Sequence, residues 1–174
     1  MTKRKIILVP DEILKKKSEK IEKLTNKEKQ LADDLFETMY KNNGIGLAAV
    51  QVGVLRRMLV IDVSKKDEEK KPLCLINPVI KSFGKDRSTY EEGCLSIPET
   101  FIEIERPKTC IVEYVDISGN KTNMECDGLL STCIQHEINH LDGKLIIDFL
   151  SKLKKEILIK KLSKNKNTSS RVIV

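Results

Sequence analysis

Apolar and polar residues alternate along this chain in two periods, one helical and one strand-like. From Thr25 to Gly44, TNKEKQLADDLFETMYKNNG, the apolar side chains Leu31, Leu35, Phe36 and Met39 recur at three-and-four spacing, which puts them on one face of a helix. Thr25 with Glu28 three residues on is a capping box that starts this helix, and Asn42, Asn43 and Gly44 stop it. A second helix is predicted from Asp127 as N-cap to Gly143 as terminator. Within it Leu129, Cys133, His136 and His140 follow at steps of four, three and four, so they share a face that turns toward the body of the protein. A basic, partly amphipathic stretch from Leu150 to Leu162, LSKLKKEILIKKL, predicts a third helix. RMLVIDV (57–63), FIEIER (101–106), CIVEYVD (110–116) and KTNMEC (121–126) are short, β-branched or alternating, and bounded by turn residues such as Ser118, Gly119 and Asn120. They read as strands. SKKDEEKK (64–71) reads as a charged loop, and with no repeat or linker to divide it the chain is expected to form one domain over 1–174.

Composition narrows the class. At 174 residues the chain can bury a core without disulfides or oligomerisation. No apolar run approaches the roughly 18 residues of a membrane span, and the start, MTKRKIILVPDEIL, turns acidic by Asp11, unlike a secretory or organellar signal. A cytoplasmic protein is the expectation, with no membrane partner. Five cysteines without a CxxC pair do not make a disulfide framework, and Cys74, Cys110, Cys126 and Cys133 read as buried apolar thiols. The net charge of +6 is carried by the C-terminal part, where eight basic residues from Lys152 to Arg171 face a single acid, Glu156. Such a segment is either a solvated helix face or an attractor for an acidic partner, RNA above all.

The chemistry concentrates in QHEINHLDG (Gln135–Gly143), which holds both histidines of the chain, four residues apart with a glutamate beside the first. Two imidazoles one helical turn apart can grip one divalent ion, and Glu137 between them is placed to act on water instead of ligating. A catalytic site of this kind needs a third protein ligand. No third histidine exists, and the acids after His140 (Asp142, Asp148, Glu156) do not form the later glutamate-bearing helix of the familiar metalloproteases. The third donor is therefore sought upstream, where a thiolate suits the ion. Cys133 lies about 10.5 Å of helical rise from His140 and is better read as packing. Cys94, in the turn-like segment EEGCLSIPE, is favoured, with Cys74, Cys110 and Cys126 left open.

Three segments, GIGLAAVQ (44–51), EGCLS (92–96) and QHEINH (135–140), resemble the signature motifs of peptide deformylases in their order and intervals. VPDEIL near the start and the helix after Thr25 are also similar, so the likeness runs from about Val9 to about Leu153. The resemblance implies an α+β fold in which antiparallel sheets pack around a central helix bearing the histidines, with a further helix at the C-terminus. It implies an enzyme that removes the formyl group from the initiator methionine of new chains. Carried over by residue, Cys94, His136 and His140 hold the metal, Glu137 is general base and then acid, and Gln51 with the Leu95 backbone N–H holds the oxyanion. Ile45, Tyr90, Leu129, Thr132 and Cys133 would line the methionine pocket, Gly46 would let the peptide pair as an added strand, and Glu92 and Gly93 fall among the substrate-binding positions. The ion is expected to be Fe2+ in the cell, with Zn2+ or Ni2+ possible after purification. The partners are formylmethionyl nascent peptides, with the basic tail a candidate for docking on the ribosome.

Three positions depart from that pattern. Val50 stands where proline is usual, so the backbone presenting Gln51 is expected to be looser. Asn139 stands in place of an aspartate, which removes a charge expected to pair with Arg106, and Phe101 takes the place of an arginine that contacts substrate. The rival readings are a zinc peptidase of the HExxH type and a basic RNA-associated protein with a structural metal.

Overall fold

The computed structural model describes residues 4–65 and 67–168, with side chains to residue 164. Among these residues, seven strands and three α-helices are joined with short 3-10 turns in an α+β arrangement. A five-stranded antiparallel sheet is built, in spatial order, from β1 (Gly46–Ala48), β2 (Met58–Ile61), β3 (Leu73–Phe83), β6 (Thr109–Val115) and β7 (Lys121–Asp127). The remaining pair, β4 (Arg87–Cys94) and β5 (Ile97–Pro107), forms a separate antiparallel ribbon.

The helices explain why MLVI is an unbroken apolar run. All four residues of β2 are buried, and its two faces meet different helices. Leu59 and Ile61 pack with Cys133, Ile134, Ile138 and Leu141 of α2 (Gly128–Leu141), whereas Met58 and Val60 pack with Leu31, Leu35 and Met39 of α1 (Asn26–Lys41). Each such side chain contributes about 1.5–3 kcal/mol by leaving water. The central helix α2 is itself buried over most of its length, which carries its polar residues inside. A third cluster joins Ile102 and Ile104 of β5 to Leu145, Ile146 and Ile147, and Leu158, Ile159 and Leu162 of α3 (Lys152–Thr168) pack against it.

Both expected helix starts are present. Thr25 and Glu28 close the capping box of α1. Asp127 occupies the N-cap of α2, but its side chain makes no capping hydrogen bond. Gly143 stops α2 at a positive φ of 74°, and a side chain there would run into the Lys15 carbonyl. Helix α3 continues six residues beyond the expected Leu162, to Thr168. The three missed strands have legible causes, and β1 is only three residues long, too short for a strand period to show. β3 contains Asn77-Pro78, a turn signal in sequence; here Asn77 takes φ 52° at a bulge, and its side chain accepts from the Ile21 N–H and donates to the Ile21 carbonyl, stitching the N-terminal segment to the sheet. β4 is mostly polar and one of its faces is solvated. Cys94, expected in a turn, is instead the last residue of β4, and the turn follows at Leu95 and Ser96.

Candidate metal centre and its cavity

The end of the β4–β5 ribbon lies against α2, and this brings Cys94 to the two histidines. Cys94 Sγ is 3.2 Å from His140 Nε2, which is 3.2 Å from His136 Nε2, and the three donor atoms lie within 4.8 Å of one another. Tetrahedral bonds of about 2.0–2.3 Å imply ligand–ligand edges of about 3.3–3.7 Å, so the trio is spaced as donors to one small cation. Cys133 is not part of this cluster. Its sulfur is buried and directed at the Ile45 carbonyl, 3.7 Å away, in keeping with a packing role. Cys110 and Cys126 lie on β6 and β7, and Cys74 lies on β3, where it is half-buried and not fully buried as expected.

Neighbouring charges prepare the ligands. His136 Nδ1 is 2.8 Å from Glu92 Oε2, so with the proton on Nδ1 the lone pair of Nε2 faces Cys94 and His140. Glu92 in turn is gripped by Arg106, whose Nε and Nη2 donate to its two oxygens at 2.5 and 3.0 Å. Arg106 Nη1 also donates to Asn139 Oδ1 at 2.9 Å, so the contact expected to be lost with the aspartate is kept by a neutral acceptor. The Phe149 ring covers the guanidinium at 5.0 Å. Burial works to raise the Glu92 pKa, but hydrogen bonds from His136 and Arg106 outweigh it and hold the carboxyl below its usual range. At His136 burial works against the charged ring, yet the Cys94 and Glu92 contacts prevail and lift it to about 10. His140 is pushed well down by burial, and then by the charges of His136 and Arg106. A site that draws a proton so strongly between a thiol and a carboxylate calls for positive charge, and its donors fit a divalent cation.

The centre opens on a cavity of about 640 Å³ that Cys94, His136 and Glu137 all line. Glu137 is buried, its Oε2 has no hydrogen-bond partner among the described residues, and burial chiefly pushes its carboxyl up to about 7. Gly46, on the edge strand β1, passes directly over it. A Cβ there would lie 2.5 Å from Glu137 Oε1 and 2.8 Å from Cys133 Sγ, so only glycine lets the strand come this close. Gln51 is fixed from several sides despite Val50. Its Oε1 accepts from the Ala48 N–H at 2.9 Å, its Nε2 donates to Ser96 Oγ at 3.1 Å and lies 3.7 Å from Cys94 Sγ, and its carbonyl accepts from the Ile7 N–H at 2.8 Å. Val50 is fully buried in the core beside α2.

Ile45, Gly46, Tyr90, Gly93, Leu95, Leu129, Thr132 and Cys133 all line the cavity. Leu129 and Ile45, each 42% exposed, stand at its rim with Phe101, whose ring lies against Gly93. Glu92 stands apart among the expected substrate contacts: it borders the cavity, but both of its carboxylate oxygens are engaged by Arg106 and His136. Sequence reasoning linked position 139 to Arg106 but missed the parts that Glu92 and Phe149 play in this network. Reading RSTYEEGC as a strand would have flagged part of it, since residues two apart project to one side and Glu92 is two from Cys94.

The rest of the chain is as similar to known proteins as the site is to a metal centre. The family model described as polypeptide deformylase matches residues 3–156. The peptide deformylase of Pelagibacter ubique is 51% identical over 174 residues, covering all of both chains, and that of Agrobacterium fabrum is 52% identical over 164 residues, covering 94% of this chain and 96% of its own. The crystal structure of peptide deformylase from Ehrlichia chaffeensis superposes with a TM-score of 0.92 at 40% identity, covering 97% of this chain and 99% of that one.

Proposed function

The chain belongs to the polypeptide deformylase family and removes the formyl group from the N-terminal formylmethionine of newly made polypeptides, and we propose that Cys94, His136 and His140 hold its metal while Glu137 moves the proton. The observation that carries this assignment is the convergence of one sulfur and two imidazole nitrogens within 4.8 Å at the wall of a cavity that also contains a buried carboxylate. A divalent cation bound there supplies Lewis acidity toward the formyl oxygen and makes water a better nucleophile near neutral pH. The mixed sulfur and nitrogen donors suit Fe2+, which we take as the cellular ion, and they also accept Zn2+ or Ni2+.

The protein's own groups do the rest. An extended peptide adds to the free edge of β1, where Gly46 leaves its backbone accessible, and the methionine side chain enters the cavity between Tyr90, Leu129 and Cys133. Glu137 accepts a proton from the attacking water and returns it to the leaving nitrogen; a carboxyl pushed to about 7 is matched to both duties. One Gln51 N–H is held by Ser96, while the other is only weakly engaged by the Cys94 sulfur at 3.7 Å, so a formyl oxygen can claim it as negative charge develops. The Leu95 N–H, in the turn after Cys94, is the second donor of this proposal. Formate leaves, and the peptide retains a free amino terminus.

The test uses protein isolated anaerobically and analysed for metal. It should release formate from formyl-Met-Ala-Ser and leave Met-Ala-Ser intact. Cleavage of peptide bonds without formate release would instead favour the zinc peptidase, and zinc as the sole metal of the anaerobic preparation would remove iron.

The basic C-terminal helix is proposed to dock on the ribosome, from the cytoplasm, where new chains emerge. Among the described residues no helix is long and apolar enough to cross a membrane. Lys152, Lys154, Lys160 and Lys161 are exposed on α3, and the side chains of Lys166 and Arg171 lie outside the described residues. Reversing Lys154, Lys160 and Lys161 to glutamate should weaken a salt-sensitive association with ribosomes and leave turnover of a small formyl peptide unchanged. Association that survives the reversal would remove the docking proposal.

A further inference from the structure

Away from the metal centre, a second pair of chemically active groups lies in the main sheet. Cys110 of β6 and Cys126 of β7 are direct partners in the antiparallel register, so their side chains leave the sheet on the same face. Both are 2% exposed and belong to the core cluster beneath α2. Opposed residues in such a ladder have Cα atoms about 4.5–5.5 Å apart, and disulfides span Cα separations of about 4.4–6.8 Å. The backbone therefore already meets the main geometric demand of a bond between them.

Two further features bear on the reactivity of this pair. The Ser131 hydroxyl, on the first turns of α2, lies 3.5 Å from Cys110 Sγ and can donate to it. A cavity of about 590 Å³ also borders both cysteines, with Phe83, Gly84, Thr109 and Asp127 on its walls, and gives a small reagent a route to sulfurs that bulk solvent barely touches. The contact with Cys126, against the opposing effect of burial and with help from Ser131, brings the Cys110 thiol down to about 7, while Cys126 is raised. Cys74, by contrast, is pushed up to about 12 by burial, and Cys133 is driven well above its ordinary value by the same cause.

We propose that Cys110 and Cys126 are a cross-strand dithiol that a peroxide converts reversibly to a disulfide. The thiolate of Cys110 attacks one oxygen of hydrogen peroxide, the O–O bond breaks, and the departing hydroxide takes a proton to become water. Cys126 then loses its proton and attacks the Cys110 sulfur, the S–O bond breaks, and the second oxygen leaves as water. Two thiols are oxidised by two electrons and one peroxide is reduced to two waters. A dithiol reductant reverses the bond by exchange.

The experiment treats the intact metal-loaded protein with a few equivalents of hydrogen peroxide, alkylates the remaining thiols, and maps the peptides by mass spectrometry. Trypsin with Asp-N cuts after Lys108 and Lys121 and before Asp116 and Asp127. This separates Cys126 from Cys133, so the bond is read as a linked pair of 109–115 with 122–126. The expected result is that pair, lighter by two hydrogens than its reduced parts and restored by dithiothreitol. Cys110→Ser should abolish it and leave Cys126 open to alkylation. Both cysteines fully alkylated after treatment, a bond from either one to another cysteine, or conversion to sulfinic acid without linkage would each overturn the proposal. None of these readouts depends on deformylation.

Discussion

Exchanging Glu137 for glutamine is expected to lower kcat by about 10²–10⁴-fold while the protein still binds one metal ion per chain. The amide matches the carboxylate in size, so the close approach of Gly46, which leaves no room for even a Cβ, is kept. What is lost is the capacity to take up a proton and hand it on. No other buried carboxylate of the cavity is free to replace it. Glu91 and Glu99 also border the cavity but are exposed, and the Glu92 carboxylate is held by Arg106 and His136. Because Glu137 Oε2 has no hydrogen-bond partner among the described residues and burial penalises its charged form, the neutral amide should leave the melting temperature unchanged or slightly higher. Formate release, metal content and thermal unfolding measured on one preparation separate these effects. Parental turnover by the glutamine variant would remove Glu137 from the mechanism, and loss of the metal would make it a ligand.

The parts of this molecule that could be read from sequence are those whose physics is local. Helix α1 announces itself through Thr25, Glu28 and one apolar face, and α2 through the spacing of Cys133, His136 and His140, because capping and 3.6-residue periodicity are properties of neighbouring residues. β2 was legible as an apolar run, although the reason for the run, a helix on either face, appears only in three dimensions. The ribbon β4–β5 was half seen: its second strand alternates, but its first is mostly polar because it is solvated on one side and carries Glu92 inward to pair with Arg106. Residues alone favoured Cys94 over three other cysteines, and which of them meets the histidines depends on how that ribbon packs on α2, a contact between segments 42 residues apart. The fate of Asn139 was equally non-local. A lost charge suggested a lost partner, whereas Arg106 keeps its contact because a carboxamide oxygen accepts as readily as a carboxylate at that distance.

Replacing Cys94 with serine should weaken metal binding by more than about 100-fold, beyond the 10–100-fold typical of losing a ligand's supporting partner, and replacing Cys133 with serine should leave the stoichiometry at one. The two thiols make a controlled comparison, since each sits beside the same cavity and each substitution changes one atom. Cys94 Sγ is 3.2 Å from His140 Nε2, within the edge length of a shared coordination sphere. Cys133 Sγ instead faces the Ile45 carbonyl and the backbone of Gly46, so its hydroxyl analogue can keep the contact. A serine hydroxyl at 94 is a much weaker acid than a thiol and does not offer the anionic sulfur that a divalent ion prefers. The readout is metal retained against a competing chelator, together with the near-ultraviolet sulfur-to-metal absorption of the cobalt-substituted protein. That band should persist in the Cys133 variant and vanish in the Cys94 variant. If the band followed Cys133, which lies about 10.5 Å of helical rise from His140, the ion would have to sit away from His140, and both the roles assigned to Glu137 and Gln51 and the path of the peptide along Gly46 would have to be redrawn around it.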